Sequence, residues 1–179
     1  EPHLQQYVAI EPTSPHALTN LGNVLFQLRR PAEAAELLGR ALQYDPDYSA
    51  AHVSYFQALL AAGKQKEAVA ALHAAHAAMP SVAPLAHRLA WMLATSANDD
   101  IRNPAEALQV AERLSANAPP NADNLGVLAA AQAANGQFDA AVANAHQAAS
   151  LARQQGNEPL ARRIESHLRF YEAQRPYIE

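Results

Sequence analysis

The chain has 179 residues, of which 50% are hydrophobic and 17% charged, so it can bury a sizeable core and is too apolar to stay disordered. Thirteen basic against seventeen acidic residues give a net charge of -4 with no dense Lys/Arg block, a poor match for a nucleic-acid backbone. The absence of cysteine excludes disulfides, thiolate zinc sites and thiol nucleophiles, and suits a reducing cytoplasm and a periplasm equally well.

In chain order, the first pattern is short. Residues 1–14 carry Leu4, Tyr7 and Val8 at helical spacing before Pro12, and the chain opens on Glu1-Pro2 as if cut from a longer protein. Leu18, Leu21, Leu25, Ala34, Leu38, Ala41 and Pro46 come next, and an offset of 34 lays them on His52, Tyr55, Leu59, Ala68, Leu72, Ala75 and Pro80. The same offset reaches Ala86, Leu89 and Leu93, then fails until five residues near 96–100 are skipped, and resumes at Ala107, Ala111, Leu114 and Pro119. A fourth copy holds Leu125, Leu128, Ala129, Gly136, Ala141, Ala145 and Ala148.

Each copy contains two amphipathic helical patterns with a short break between them, which predicts a helical hairpin. Gly63 and Gly136 are placed to end first helices, Pro31 and Pro104 to open second ones, and Asn103 to cap the helix that Pro104 begins. Small residues at Gly22, Ala34, Ala68, Ala90, Ala107, Ala129 and Ala141 sit where paired helices would cross and approach closely. Phe56 breaks that rule, so either its helix is displaced within a locally repacked core or the ring points into a groove between repeats. No apolar run is long enough to span a bilayer.

Leu18-x₂-Leu21-Gly22-x₂-Leu25, then Ala34-x₃-Leu38, then Pro46, at a period of 34, closely resembles the tetratricopeptide-repeat (TPR) signature. The resemblance covers roughly residues 15–155 and implies an all-α fold, a right-handed superhelical solenoid of antiparallel helix pairs. The expected organisation is the second helix of a truncated repeat over 1–14 and repeats over 15–48, 49–82, 83–121 with its five-residue loop insertion, and 122–156. A C-terminal capping helix and tail, 157–179, complete it, with Leu160, Ile164, Leu168 and Tyr171 on one stripe. The variant third repeat and the ending Arg175-Pro176-Tyr177 look like those of bacterial members. Such repeats often follow membrane-embedded or enzymatic modules, so an upstream tether in a bacterial cytoplasm or periplasm is part of what the resemblance implies.

In this family the first helices line a concave groove that holds another protein or peptide. The register carries that role onto Asn20, Asn23, Phe26 and Gln27, onto Ser54 and Gln57, and onto His87, Arg88 and Trp91. Thr19, Thr95, Val127 and Ala130 fall at groove positions as well. Amides pair with any peptide backbone, Phe26 and Trp91 offer aromatic anchors, and Arg88 matches a carboxylate, so a short peptide with an acidic group is the expected guest. Trp91 has an alternative place, buried against the insertion. Asn23 and Arg88 also match part of the clamp that grips chaperone tails, but Thr19, Ser54 and Pro84 stand where it needs Lys, Asn and Lys.

Other chemistry is thinly represented. His73 and His76 share a helix face but are two ligands where zinc needs more, and Asp99-Asp100 lacks the Gly and Glu of a calcium loop. No nucleophile elbow, P-loop, dinucleotide fingerprint or metalloprotease helix is present, and His146 with Ser150 lacks a third orienting group. The reading is therefore a peptide-binding scaffold with no cofactor, metal or catalytic group and no direct membrane contact. The alternative is a substrate-presenting accessory segment of a larger glycosyltransferase-like or membrane-bound enzyme. The uncapped N-terminal end is a candidate for self-association.

Overall fold

A computed structural model describes residues 13–116 and 119–179. The expected helix ahead of Pro12 lies outside the described residues. All regular structure among the described residues is α-helical, in nine helices. The chain divides into two compact units, Glu1–Leu85 and Ala86–Glu179.

The first unit contains α1 (Pro15–Gln27), α2 (Pro31–Tyr44), α3 (Ser49–Ala61) and α4 (Gln65–Ala78). Local chemistry sets their ends. Ser14 caps α1 by accepting from the Ala17 N–H at 3.4 Å, and Pro15 and Pro31 occupy the first turns of α1 and α2, where an absent N–H costs nothing. Gly63 follows α3 with φ 76°, a left-handed conformation that glycine takes without a Cβ penalty. After α1 the same role falls to Arg29, at φ 62°.

Consecutive helices of this unit pack against one another, and α1 also touches α3. The core between them is leucine and alanine: Leu18, Leu21, Leu25, Leu38, Leu59 and Leu72 with Ala34, Ala41, Ala51, Ala58, Ala68 and Ala75. Alanine brings helix axes together and loses no rotamer entropy on burial. Gly22 marks the tightest approach, since a Cβ there would lie 2.8 Å from Leu38 Cγ. Phe56 is buried, which assigns it to the core.

The second unit takes in most of α5 (Ala83–Thr95), then α6 (Pro104–Ala116), α7 (Ala122–Ala134), α8 (Phe138–Gln154) and α9 (Glu158–Glu172). Asn103 caps α6, accepting from the Glu106 N–H at 3.3 Å while its own amide donates to Glu106 Oε2 at 3.0 Å. Asn121 and Asn157 cap α7 and α9 by accepting from the Asn124 and Leu160 N–H groups. Gly136 and Gly156 close α7 and α8 in the left-handed region, and Gln174 does so after α9 at φ 52°.

The inserted residues between α5 and α6 form an ordered connection rather than a loose loop. Ser96 Oγ accepts from the Asn98 N–H, Asn98 Oδ1 from the Asp100 N–H, and Arg102 holds both the Ser96 carbonyl and the Asp99 carboxylate. Ile101 in the same connection is buried. α7 is buried on most of its circumference and packs against α6, α8 and α9. α9 buries Leu160, Ile164, His167, Leu168 and Tyr171 and exposes Arg162, Arg163 and Arg169.

Candidate functional site

The groove residues expected from the sequence fall in both units. In the first, Asn20, Asn23 and Gln27 follow one another at i, i+3 and i+7 along α1, which places them on one stripe. Asn20 and Gln27 are exposed and Asn23 is half-buried. Ser54 and Gln57 are half-buried on α3, a helix in contact with α1. None of these five polar side chains makes a hydrogen bond among the described residues, so each keeps its donors and acceptors for something else. Phe26 is half-buried beside them. At the N-terminal end of the stripe, His16 meets Tyr48 edge-on, with its Nδ1 3.1 Å from the Tyr48 hydroxyl.

Four further groove positions given by the family register are corrected. Thr19, Thr95, Val127 and Ala130 are all buried. The register assumes a regular helix rotation, and these side chains are small enough to be enclosed where alanine-rich helices pack closely. The Thr95 hydroxyl returns to its own helix, donating to the Trp91 carbonyl at 2.9 Å, and the Thr19 hydroxyl is buried with no partner.

In the second unit the expected residues are engaged. His87 is half-buried, and burial is the main cause holding its imidazole below the ordinary histidine range, against the opposing pull of Asp123. Arg163 reaches Asp123 at 3.6 Å, so an acid and two bases converge beside that ring, with Arg88 the other base. Trp91 is half-buried. Its indole lies 5.3 Å from the His167 ring and 6.1 Å from the Tyr177 ring, and its Nε1–H donates to Glu179 Oε1 at 3.0 Å.

The segment 175–179 is thus part of this site, which the sequence reading did not foresee. Tyr177 stacks on His167 at 4.1 Å and meets Phe170 edge-on at 5.5 Å. The Glu179 N–H donates to the Thr95 carbonyl at 2.8 Å, capping the last turn of α5. Pro176 and Ile178 point the other way, lining a cavity of about 150 Å³ with Arg102, Pro104 and Ala134. Burial and the Arg163 charge, in that order, press His167 down to about 4, so it is neutral at pH 7. The signal that could have found this site is the aromatic run His167, Phe170, Tyr171 and Tyr177, closely spaced in a chain with 6% aromatics.

Among the described residues no three His, Asp or Glu side chains gather as metal ligands, and no helix is long and apolar enough to cross a membrane. The paired helices, with α1 touching α3 in the first unit and α7 touching α9 in the second, and with small residues at the crossings, have a tetratricopeptide-repeat fold. The tetratricopeptide repeat family model matches residues 25–93. No curated protein sequence matches it.

Solved structures share the fold at low identity. The crystal structure of YrrB, a TPR protein with an unusual peptide-binding site, is 15% identical with a TM-score of 0.65, over 95% of this chain and 92% of that one. A MamA RS-1 ArsTM double mutant is 16% identical with a TM-score of 0.63, over 89% and 94%. PilW, a widely conserved type IV pilus biogenesis factor, is 16% identical with a TM-score of 0.62, over 89% of this chain and 77% of that one.

Proposed function

We propose that this chain is a scaffold that holds an extended segment of another protein along its first helices. The observation that carries the reading is the amide stripe of α1 and α3. Asn20, Asn23, Gln27, Ser54 and Gln57 stand on neighbouring helices with no hydrogen bond among the described residues. Amides and hydroxyls at this spacing can pair with a peptide main chain whatever its side chains, and Phe26 adds apolar area beside them. The likeness to YrrB, whose crystal structure is described as having a peptide-binding site, supports a guest of this kind.

The test is selection of binders from a phage-displayed library of linear peptides, followed by titration of the best peptide into Asn23→Ala/Gln57→Ala. The expected result is a loss of about tenfold or more in affinity, on the scale of one or two hydrogen bonds, with an unchanged melting temperature. Full affinity in the double variant, or a library that yields no binder, overturns the reading.

A further inference from the structure

The contacts of residues 176–179 are those of a ligand in a site. The segment has no helical structure, and its side chains alternate: Tyr177 and Glu179 meet the α5–α9 face, while Pro176 and Ile178 line the cavity beside Arg102 and Pro104. An extended chain that presents alternate side chains to two walls is how peptides are read by many binding domains. Three kinds of contact hold it. An aromatic ring enters a nest of Trp91, His167 and Phe170, a carboxylate accepts from an indole N–H, and a main-chain N–H satisfies an orphan carbonyl at a helix C-terminus.

Nothing in this arrangement requires that the segment belong to the same chain. Ile178 remains exposed although docked, and so does Phe170 on the α9 wall against which Tyr177 packs, which is the mark of a lightly seated segment rather than of core. We propose that the α5–α9 face is a second peptide site, selective for an extended Pro-aromatic-aliphatic-acid segment, and that residues 176–179 occupy it in cis as a strap that a partner segment of the same chemistry displaces. The site is separate from the α1–α3 stripe and stands or falls without it.

The arithmetic of a tethered competitor sets the size of the effect. A short linker gives the strap an effective concentration on the order of 1 mM, so a free peptide with a dissociation constant of about 0.1 mM would bind the intact chain about tenfold more weakly than a chain whose strap is disabled. The probe is a fluorescein-labelled peptide of sequence Gln-Arg-Pro-Tyr-Ile-Glu, titrated by anisotropy into the full chain and into the full chain carrying Tyr177→Ala/Glu179→Ala.

The expected result is saturable binding to the double variant, about tenfold weaker binding to the unaltered chain, and none by a probe with alanine in place of Tyr and Glu. Adding Trp91→Ala to the double variant abolishes binding, whereas adding Asn23→Ala/Gln57→Ala leaves it intact, which separates this site from the one proposed above. Circular dichroism establishes that each variant is folded. The idea is overturned if the probe binds a folded double variant no better than the unaltered chain, if the alanine probe binds equally well, or if the unaltered chain sediments as a dimer through exchanged straps.

Discussion

The glycines separate two physical roles that composition alone blurs. Gly22 is in a helix interior, where glycine costs about 1 kcal/mol against alanine, and is tolerated because a Cβ would meet Leu38 Cγ at 2.8 Å with Leu38 itself fully buried. Gly126 is also helical, but there a Cβ would find Ile164 at an ordinary 3.6 Å. The two Gly→Ala substitutions are therefore expected to have opposite signs. Gly22→Ala should lose about 1 kcal/mol net, overpacking outweighing propensity, and Gly126→Ala should gain up to about 1 kcal/mol. Urea denaturation of the two variants checks the pair, and a stabilised Gly22→Ala would show that the α1–α2 crossing has slack. At the same scale, Tyr171 is buried with its hydroxyl unpartnered, and burial, with the Tyr177 charge second, raises it well above the ordinary phenol range.

At the scale of elements, the caps govern where helices begin. Asn103 exchanges hydrogen bonds with Glu106 in both directions, so Asn103→Ala should cost about 1 kcal/mol and lower the melting temperature by about 2–4 °C. A thermal melt that does not move would mean that Pro104 alone fixes the start of α6. The helices were legible in the sequence because three independent signals coincided in them: the 34-residue offset, prolines at first turns, and glycine after last turns. Arg29 and Gln174 escaped that reading because a left-handed residue that is not glycine leaves no compositional trace. The candidate site was legible only in part. Asn20 and Gln27 are exposed and Asn23 is half-buried, because polar amides are excluded from an alanine core. Thr19 and Val127 went inward, since small side chains fit a crossing as readily as a groove. The contact of Trp91 with Glu179 joins residues 88 positions apart, and no helical period encodes such a pairing.

For the whole molecule, acid is the informative stress. His167 sits at about 4 and His87 is also lowered, both chiefly through burial, while an unfolded histidine titrates near 6.5. Below about pH 6.5 the unfolded chain binds protons that the folded chain refuses, so stability is full above that value and falls as the pH drops toward 4. The groups around His167 are Arg163 on its own helix, Trp91 on α5, and Tyr177, with Glu179 beyond the indole. Arg163 opposes its protonation as burial does. The midpoint of urea unfolding is expected to decline steadily between pH 7 and pH 5, and His167→Gln should flatten part of that decline. A midpoint constant across the window in the unaltered chain would contradict the burial of both rings.

Most packing within each unit is between helices adjacent in sequence or one helix removed, so most of each unit can assemble by closing short loops, early and in any order. The Trp91–Glu179 stitch is of another kind. It can close only after α5 to α9 have brought their ends together, and it encloses everything between. Its formation reports that the C-terminal unit is complete, and its loss leaves the hairpins beneath it free to persist.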